Sequence, residues 1–505
     1  MRTTEFDMIH LLLLCFGIIV GKAVYNKYAY GLARVQGPAL AGYTDLWRLF
    51  LVWGCRPEQK HIALHERYGS IVRLGPRCVS ISDPAAIKII YTIKTNFVKS
   101  DFYPVQQPVT REGHPLQGMF NTTDEKYHAK LRRAVSNAFA MSTLVQFEPL
   151  VDSTTRAFLA QLSTRYADRP GQDGICDFGS WLQYYAFDVI GELTFSRRLG
   201  FVDLGNDVDN IISDLEWMLG YAAVVGQIPI LDYFFLKNPV RFLFSRLGLT
   251  NPTTPVVSFA KARMDARLGS QGSTAKDAQS NRRDFLSRFL EASQKDPEFL
   301  TPERVLSLTT ANMFAGSDTT AITLRAIFYF LLRNPETLQK LLDELEADDG
   351  RLFSDEGLVQ WSDVHESLPY LSAVIKESLR CHPAVGLPLE RIVPSGGLEI
   401  CGVYLPPGTI VGCSAWTVHR SEDIFGRDSS QFRPERWLEG SDEDNTRMNN
   451  FLFSFGGGAR TCVGRHISYL EMYKLVPAVL KKFELRVAGR KVTISGGFSQ
   501  TTKTF

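Results

Sequence analysis

Apolar residues recur with a helical period over most of the chain, and only a few short stretches alternate as strands do. The first apolar stretch, 8–21, is nearly uniform, with His10 its polar interruption. The pattern predicts a single helix over 124–140. Thr301 before Pro302 predicts a capped helix start and Asn334-Pro335 its end, giving a rod of about 48 Å. Asn334-Pro335-Glu336 opens the next helix. Another runs over 369–379 and stops at His382-Pro383, and a last one covers 464–483. Strands are expected at 71–74, 79–81, 398–400 and 485–487. The polar tract 269–283 and the acidic stretch 439–445 read as surface loops. No internal repeat is present. The expected fold class is mainly α with a small β portion. An N-terminal membrane anchor and linker, 1–36, precedes one large domain, 37–505.

Composition narrows the picture. The chain has 505 residues, 45% of them hydrophobic, which is enough to bury a large core. A net charge of +2 is too small to imply a nucleic-acid partner. The eight cysteines are scattered without CxxC pairs, which argues against zinc and against a disulfide framework. A reducing, cytosol-facing location suits them. The apolar run is shorter than the roughly 20 residues a span prefers. Lys22 can snorkel, and Ala23 to Tyr25 can extend the helix into the interface. Lys22, Lys27 and Arg34 follow the run while Glu5 and Asp7 precede it, which places the downstream domain in the cytosol. A cleaved signal peptide is the rival reading, opposed by the acidic residues before the run.

The most informative residue is Cys462, in Phe455-Gly456-Gly457-Gly458-Ala459-Arg460-Thr461-Cys462-Val463-Gly464. A helix N-terminus favours thiolate over thiol. Gly458 and Gly464 let the backbone approach something flat. Arg460 can pair with an anionic group on it, and Phe455 can shield the sulfur. A thiolate iron ligand needs these features, and haem is the flat, anionic object that fits.

The segment resembles the Phe-x-x-Gly-x-Arg-x-Cys-x-Gly haem loop of the cytochrome P450 monooxygenases at every defined position. Three further matches support the likeness. Glu377 and Arg380 stand one helical turn apart and resemble the family's Glu-x-x-Arg motif. Phe432-Arg433-Pro434-Glu435-Arg436-Trp437 resembles the segment that completes it, with Trp as the last residue. Ala315-Gly316-Ser317-Asp318-Thr319-Thr320 resembles the family's acid–threonine run. Within that run, threonine hydroxyls bonded backward can open the helix, and Gly316 can leave a gap for a small molecule. The texture is similar to fungal members of the pisatin demethylase type, which often serve secondary metabolism.

The resemblance implies a P450 fold and haem b with Cys462 as axial iron ligand. It implies Asp318 and Thr319 as the proton-delivering catalytic pair. Glu377, Arg380 and Arg436 become a buried charge network behind the cysteine loop. His128 (where the family usually has Trp), Arg132, Arg391 and Arg460 become partners of the haem carboxylates. Asn312, Phe314, Ala315, Val385, Leu387 and Phe498 become candidates for the substrate pocket, and 222–236 for a channel at the membrane. O2 and NADPH-derived electrons are the implied co-substrates, since the chain carries no flavin or nicotinamide motif. The implied partners are an NADPH–cytochrome P450 reductase, with cytochrome b5 as a second donor, a lipophilic small molecule and the endoplasmic reticulum membrane. Arg465 and Lys474 are candidates for docking the reductase. A xenobiotic-detoxifying monooxygenase is the alternative role. Peroxide-using or isomerising haem-thiolate enzymes often lose the acid–threonine pair, and a haem-based sensor or carrier needs neither that pair nor a reductase.

Overall fold

The computed structural model describes residues 2–54, 56–93, 96–110, 114–249, 254–269, 284–347, 352–489 and 491–496. Phe498 and nearly all of the polar tract 269–283 lie outside them. The N-terminal run forms a helix over Arg2–Tyr28. Within it, Met8–Tyr28 is apolar enough to cross a membrane, and its apolar run has no buried residue. Its 21 residues rise about 31 Å, the thickness of a hydrocarbon core. The run 8–21 alone falls short of that. The structure lengthens it through Lys22, whose ammonium lies 5.1 Å from the Tyr25 ring centre. The foot of this helix is tied to the domain by Arg73, 1% exposed. Its guanidinium donates to the carbonyls of Asn26, Lys27 and Leu32 at 3.0–3.1 Å.

The long helix Pro302–Arg333 runs through the core for 32 residues. It packs most extensively on the helix Phe178–Phe195. Leu308, Met313, Leu324 and Ile327 are buried along it, each contributing on the order of 2 kcal/mol of apolar transfer. Thr301 has the extended backbone of a cap, but its hydroxyl makes no capping hydrogen bond; Pro302 with its preset φ starts the helix instead. The helix stays continuous through Asp318, Thr319 and Thr320, so backward-bonded hydroxyls do not open it. The reading 124–140 divides in two. Asp124 caps Glu125–Val135 by accepting from the Lys126 and Tyr127 amides, and the chain then tightens into a 3-10 turn, Ser136–Phe139. The acidic stretch is not a loop throughout. Ser441 caps a helix over Asp442–Phe451, with Asp442, Glu443 and Asp444 in its first turn, where the helix dipole favours them.

The β portion is small. Its largest sheet has the order Ile71–Arg73, Cys78–Ile81, Ile410–Gly412, Arg391–Ile392, Val98–Lys99. Only the pairing of Cys78–Ile81 with Ile410–Gly412 is parallel. Register puts Lys99 opposite Arg391 and Val98 opposite Ile392. This ladder brings two basic residues, 292 positions apart in the chain (391 − 99), to one edge of the domain. Among the described residues no disulfide and no cluster of metal-ligating side chains occurs.

Candidate functional site

Cys462 lies between two turns. Its amide donates to the Phe455 carbonyl at 2.9 Å, and three residues later the helix Arg465–Lys482 begins. The loop needs glycine at Gly458, where φ is +61°. A Cβ there would stand 2.1 Å from the Tyr91 carbonyl oxygen. The close approach at Gly458 is therefore to protein backbone and not to a flat ligand. Gly464 sits at φ −84°, and the nearest protein atoms to where a Cβ would stand are Cys462 Sγ and Ile467 Cδ1, both at 4.0 Å, which leaves that side open for a flat group. Phe455 packs on Tyr469, with ring centres 5.4 Å apart.

The Cys462 residue has accessible surface, yet enough protein surrounds its sulfur for burial to dominate its chemistry. Burial pushes the thiol up, against the amides of Gly464 and Arg465 and the guanidinium groups of Arg132 and Arg465. The helix N-terminus alone thus leaves the free thiol protonated. A cationic metal would be needed to hold it as thiolate.

Behind the loop, Glu377, Arg380 and Arg436 meet as a buried group. Glu377 accepts from Arg380 Nε and Nη2, Arg436 Nε, the Arg433 amide and Trp437 Nε1, all at 2.8–2.9 Å. The departure from the family motif at Trp437 adds a donor that phenylalanine lacks. Arg380 also donates to the carbonyls of His419, Ser429 and Gln431. His419 completes the connection to the cysteine loop. Its Nδ1 faces the Arg380 carbonyl at 2.9 Å and its Nε2 faces the Phe453 amide at 2.8 Å. A carbonyl only accepts and an amide only donates, so the ring is neutral with the proton on Nδ1. Burial holds its pKa down to about 3, consistent with that state.

On the other side, five basic residues gather. Arg132 Nη1 donates to the Ala459 and Thr461 carbonyls at 3.2 and 2.6 Å, directly bracing the loop. Arg391 donates to Tyr103 Oη and stacks over the Tyr91 ring. Arg460 pairs with Glu125 at 2.7 Å and donates to the Met119 carbonyl, so its anionic partner here is a side chain. His128 is buried, and burial together with Arg460, Arg132, Lys99 and Arg391 lowers its pKa to about 3. Lys99 is the member the sequence motifs missed. It is 4% exposed, donates to the Phe120 carbonyl and lies 4.0 Å from the Tyr103 ring centre. Burial, Arg391 and Arg460 lower its pKa well below the usual lysine range, and Glu125 opposes them. A lysine in the apolar context Phe97-Val98-Lys99 was the available signal. The guanidinium groups of Arg132, Arg391 and Arg460 keep this set positive, with Glu125 the carboxylate acting against it, and a flat group with two carboxylates complements it. By that test the residues fit haem b.

On the long helix, Thr319 Oγ1 donates to the Ala315 carbonyl at 2.7 Å. Asp318 Oδ1 accepts from Gln183 Nε2 at 3.2 Å, and Gln183 in turn accepts from Arg325. Burial raises the Asp318 pKa, with Arg325 opposing and Glu216 adding. Gly316 faces protein, since a Cβ there would meet Ile190 Cδ1 at 2.8 Å. The glycine serves close packing of two helices and leaves no gap. Ala315 is exposed, and Phe314 packs against the main core. Asn312 shares a helix face with Ala315 and Thr319, and its Nδ2 is buried with no acceptor among the described residues. Val385 is 39% exposed, while Leu387 lines a small void with Arg48 and Glu390. Lys474 cannot dock a partner, because it is wholly buried against Glu148 and Asp152.

Comparison with known proteins adds the following. The family model described as Cytochrome P450 matches residues 45–504. The chain is 45% identical over 457 residues to a cytochrome P450 monooxygenase of Aspergillus terreus, covering 90% of each. It is 40% identical over 480 residues to cytochrome P450 monooxygenase cicH of Emericella nidulans, covering 95% of this chain and 93% of the relative. It is 39% identical to cytochrome P450 monooxygenase mpaDE of Penicillium brevicompactum over 464 residues, 92% of this chain and 53% of that longer protein.

Proposed function

The chain belongs to the cytochrome P450 family, and from that premise we propose which residues carry its reaction and where it takes place. It is a monooxygenase that uses haem b, O2 and NADPH-derived electrons. Haem, when bound, supplies the oxygen-activating chemistry. Cys462 holds its iron through sulfur and donates electron density to it. Arg132, His128, Arg391 and Arg460 bind its carboxylates, and Lys99 joins them. Glu377, Arg380 and Arg436, relayed by His419, keep the cysteine loop in place. Asp318 and Thr319 manage protons. Its raised pKa lets Asp318 retain a proton nearer neutrality than an exposed carboxylate does. The Thr319 hydroxyl can turn from the Ala315 carbonyl toward an ordered water.

Lys99 gives the cradle its own test. Lys99→Met should speed haem loss to a scavenger such as apomyoglobin roughly ten-fold or more, as expected for one charged hydrogen bond, while Lys99→Arg stays near wild type. Equal rates in all three would remove Lys99 from the cradle.

Residues 1–36 serve as anchor and linker and 37–505 as the catalytic domain, a division supported by the family match starting at residue 45. The catalytic domain faces the cytosol on the endoplasmic reticulum, where an NADPH–cytochrome P450 reductase, assisted by cytochrome b5, delivers electrons. The substrate is a lipophilic small molecule. The unpartnered Asn312 amide suits one that carries an oxygen acceptor near the oxidised carbon. The relatives come from fungi, which supports a step in fungal secondary metabolite biosynthesis: a hydroxylation, a demethylation or an oxidative coupling. The observation that carries the reading is Cys462, in a loop braced by Arg132 on one side and the Glu377 network on the other. Mass-spectrometric comparison of the native host with a Cys462→Ala strain tests it. Accumulation of a compound lacking one oxygen, or carrying an extra methyl or two hydrogens, is expected. No difference with the gene expressed would count against a dedicated pathway step.

A further inference from the structure

A cavity of about 480 Å³ lies at the foot of the N-terminal helix, within the size range of small-molecule sites. Lys22, Asn26 and Tyr30 line it from the N-terminal segment, and Ile228, Pro229 and Ile230 from the loop after the helix Ile211–Val225. Arg77, just before the strand Cys78–Ile81, and Asp101, two residues beyond Val98–Lys99, also face it. Its level follows from the helix. Tyr28 ends the 21-residue apolar stretch, and Lys22 stands six residues, about 9 Å, before that end. The cavity therefore spans the last two turns of the stretch and the start of the connection. With the stretch across a bilayer, this is the layer of lipid headgroups, about 5–7 Å thick on each side, and the Lys22 side chain extends toward it.

The charges on the cavity wall are balanced. Lys22, Arg48 and Arg77 stand against Asp45, Asp101 and Glu390. Three of the six satisfy one another. Arg48 Nη1 meets Glu390 Oε1 at 2.9 Å, and its Nε meets Asp45 Oδ1 at 3.0 Å. Arg48 also donates to the Gln227 carbonyl through Nε and Nη2, so its bonding is complete within the protein. The other three have no ion-pair partner among the described residues. The Lys22 ammonium lies 5.1 Å from the Tyr25 ring centre. Arg77 donates to the Gly408 carbonyl and lies over the Tyr30 ring. Asp101 is exposed.

A wall with three cations and three carboxylates gives a lone anion or a lone cation little net attraction. A sterol or hydrocarbon would leave Lys22, Arg77 and Asp101 unpaired. A phosphate joined to an ammonium satisfies both signs through charge-assisted hydrogen bonds. Zwitterionic phospholipids carry that pair, and a bilayer presents it at this depth. The rim offers the rest of such a lipid a path: Ile230, Tyr233 and Phe234 on the same loop are each more than 60% exposed. We propose that the cavity binds the headgroup of a zwitterionic phospholipid, with Lys22 and Arg77 on its phosphate and Asp101 on its ammonium. This rests on the membrane-anchor reading above.

The test places the full-length holoenzyme in vesicles of equal parts dioleoyl phosphatidylethanolamine, phosphatidylcholine and phosphatidylglycerol. The protein is extracted in mild detergent and its retained lipids are weighed by native mass spectrometry. One zwitterionic lipid per chain should be retained over phosphatidylglycerol by about ten-fold, as expected for one charged hydrogen bond. Asp101→Lys takes the wall from balanced to two net positive charges and should turn the preference to phosphatidylglycerol. Arg77→Met should lower retention of the zwitterionic lipids about ten-fold. Both side chains are exposed, and the thermal midpoint and ferrous–CO spectrum check that each variant is folded. Asp101→Lys decides the matter if Arg77→Met does not fold. Equal retention of the three lipids, or an unchanged preference in Asp101→Lys, would overturn the site. Washing the vesicles with alkaline carbonate separates the two readings. A chain stripped off by the wash overturns the anchor and the headgroup site with it, whereas a chain that stays but shows no headgroup preference overturns the site alone.

Discussion

Cys462→Ser is expected to remove the haem-thiolate signature from the ferrous–CO spectrum and to lower turnover by a thousand-fold or more, about 4 kcal/mol of transition-state stabilisation. Serine keeps the size of the side chain. The loop keeps its own bonds, because the Cys462 amide still reaches Phe455 and Arg132 still holds the Ala459 and Thr461 carbonyls. Far-UV circular dichroism and the thermal midpoint of the protein should therefore change little. A structural cysteine would behave the opposite way, with stability lost and turnover retained by the surviving fraction. Measuring spectrum, turnover and melting together on one preparation separates the two, and a variant that unfolds but still turns over would refute the ligand role.

Glu377→Gln acts on folding instead. Removing one partner of a buried ion pair costs about 3–5 kcal/mol, because the remaining charges stay buried without compensation. Here two guanidinium groups, Arg380 and Arg436, lose the same carboxylate. The expected result is little haem-loaded protein, and a sharply lower thermal midpoint in what is recovered. Burial works against the Glu377 charge, but Arg380, Arg436 and the Arg433 amide bring its pKa below the usual 4.5. A carboxyl depressed in the folded state stabilises fully above its unfolded value and loses that contribution as pH falls through the folded one. The difference between wild type and variant should thus be constant from neutral pH down to about 4.5 and shrink only on further acidification. A gap that narrowed already at pH 6 would point to another titrating group.

What the sequence made legible was local. The cysteine loop, the Glu377–Arg380 spacing and the start and stop of the long helix are set by residues within a turn or two of each other. What it hid was set by pairing across the chain. Lys99 becomes part of the cationic cradle only because strand register places it opposite Arg391. Glu125 becomes the partner of Arg460 only after two distant segments pack. Glycine was legible as close approach but not as approach to what: Gly316 meets Ile190 and Gly458 meets Tyr91. The stretch 439–445 looked like a solvated loop because its charges carry no helical period, yet three acids after a serine cap start a helix. Lys474 looked like a surface cation, and only its two buried carboxylate partners explain its place in the core.

The contact between Arg73 and the foot of the N-terminal helix bears on how a soluble form can be made. A cut at residue 36 looks natural, since the apolar span ends earlier and the family match begins later. Such a cut would delete the Asn26, Lys27 and Leu32 carbonyls, uncover the Arg73 guanidinium and leave it the Gly75 and Pro76 carbonyls. Truncation upstream of Asn26 removes most of the lipid-facing surface and spares that bonding. The same contact couples the N-terminal helix to the domain: with that helix across a bilayer, its tilt would set the direction in which the catalytic body leans.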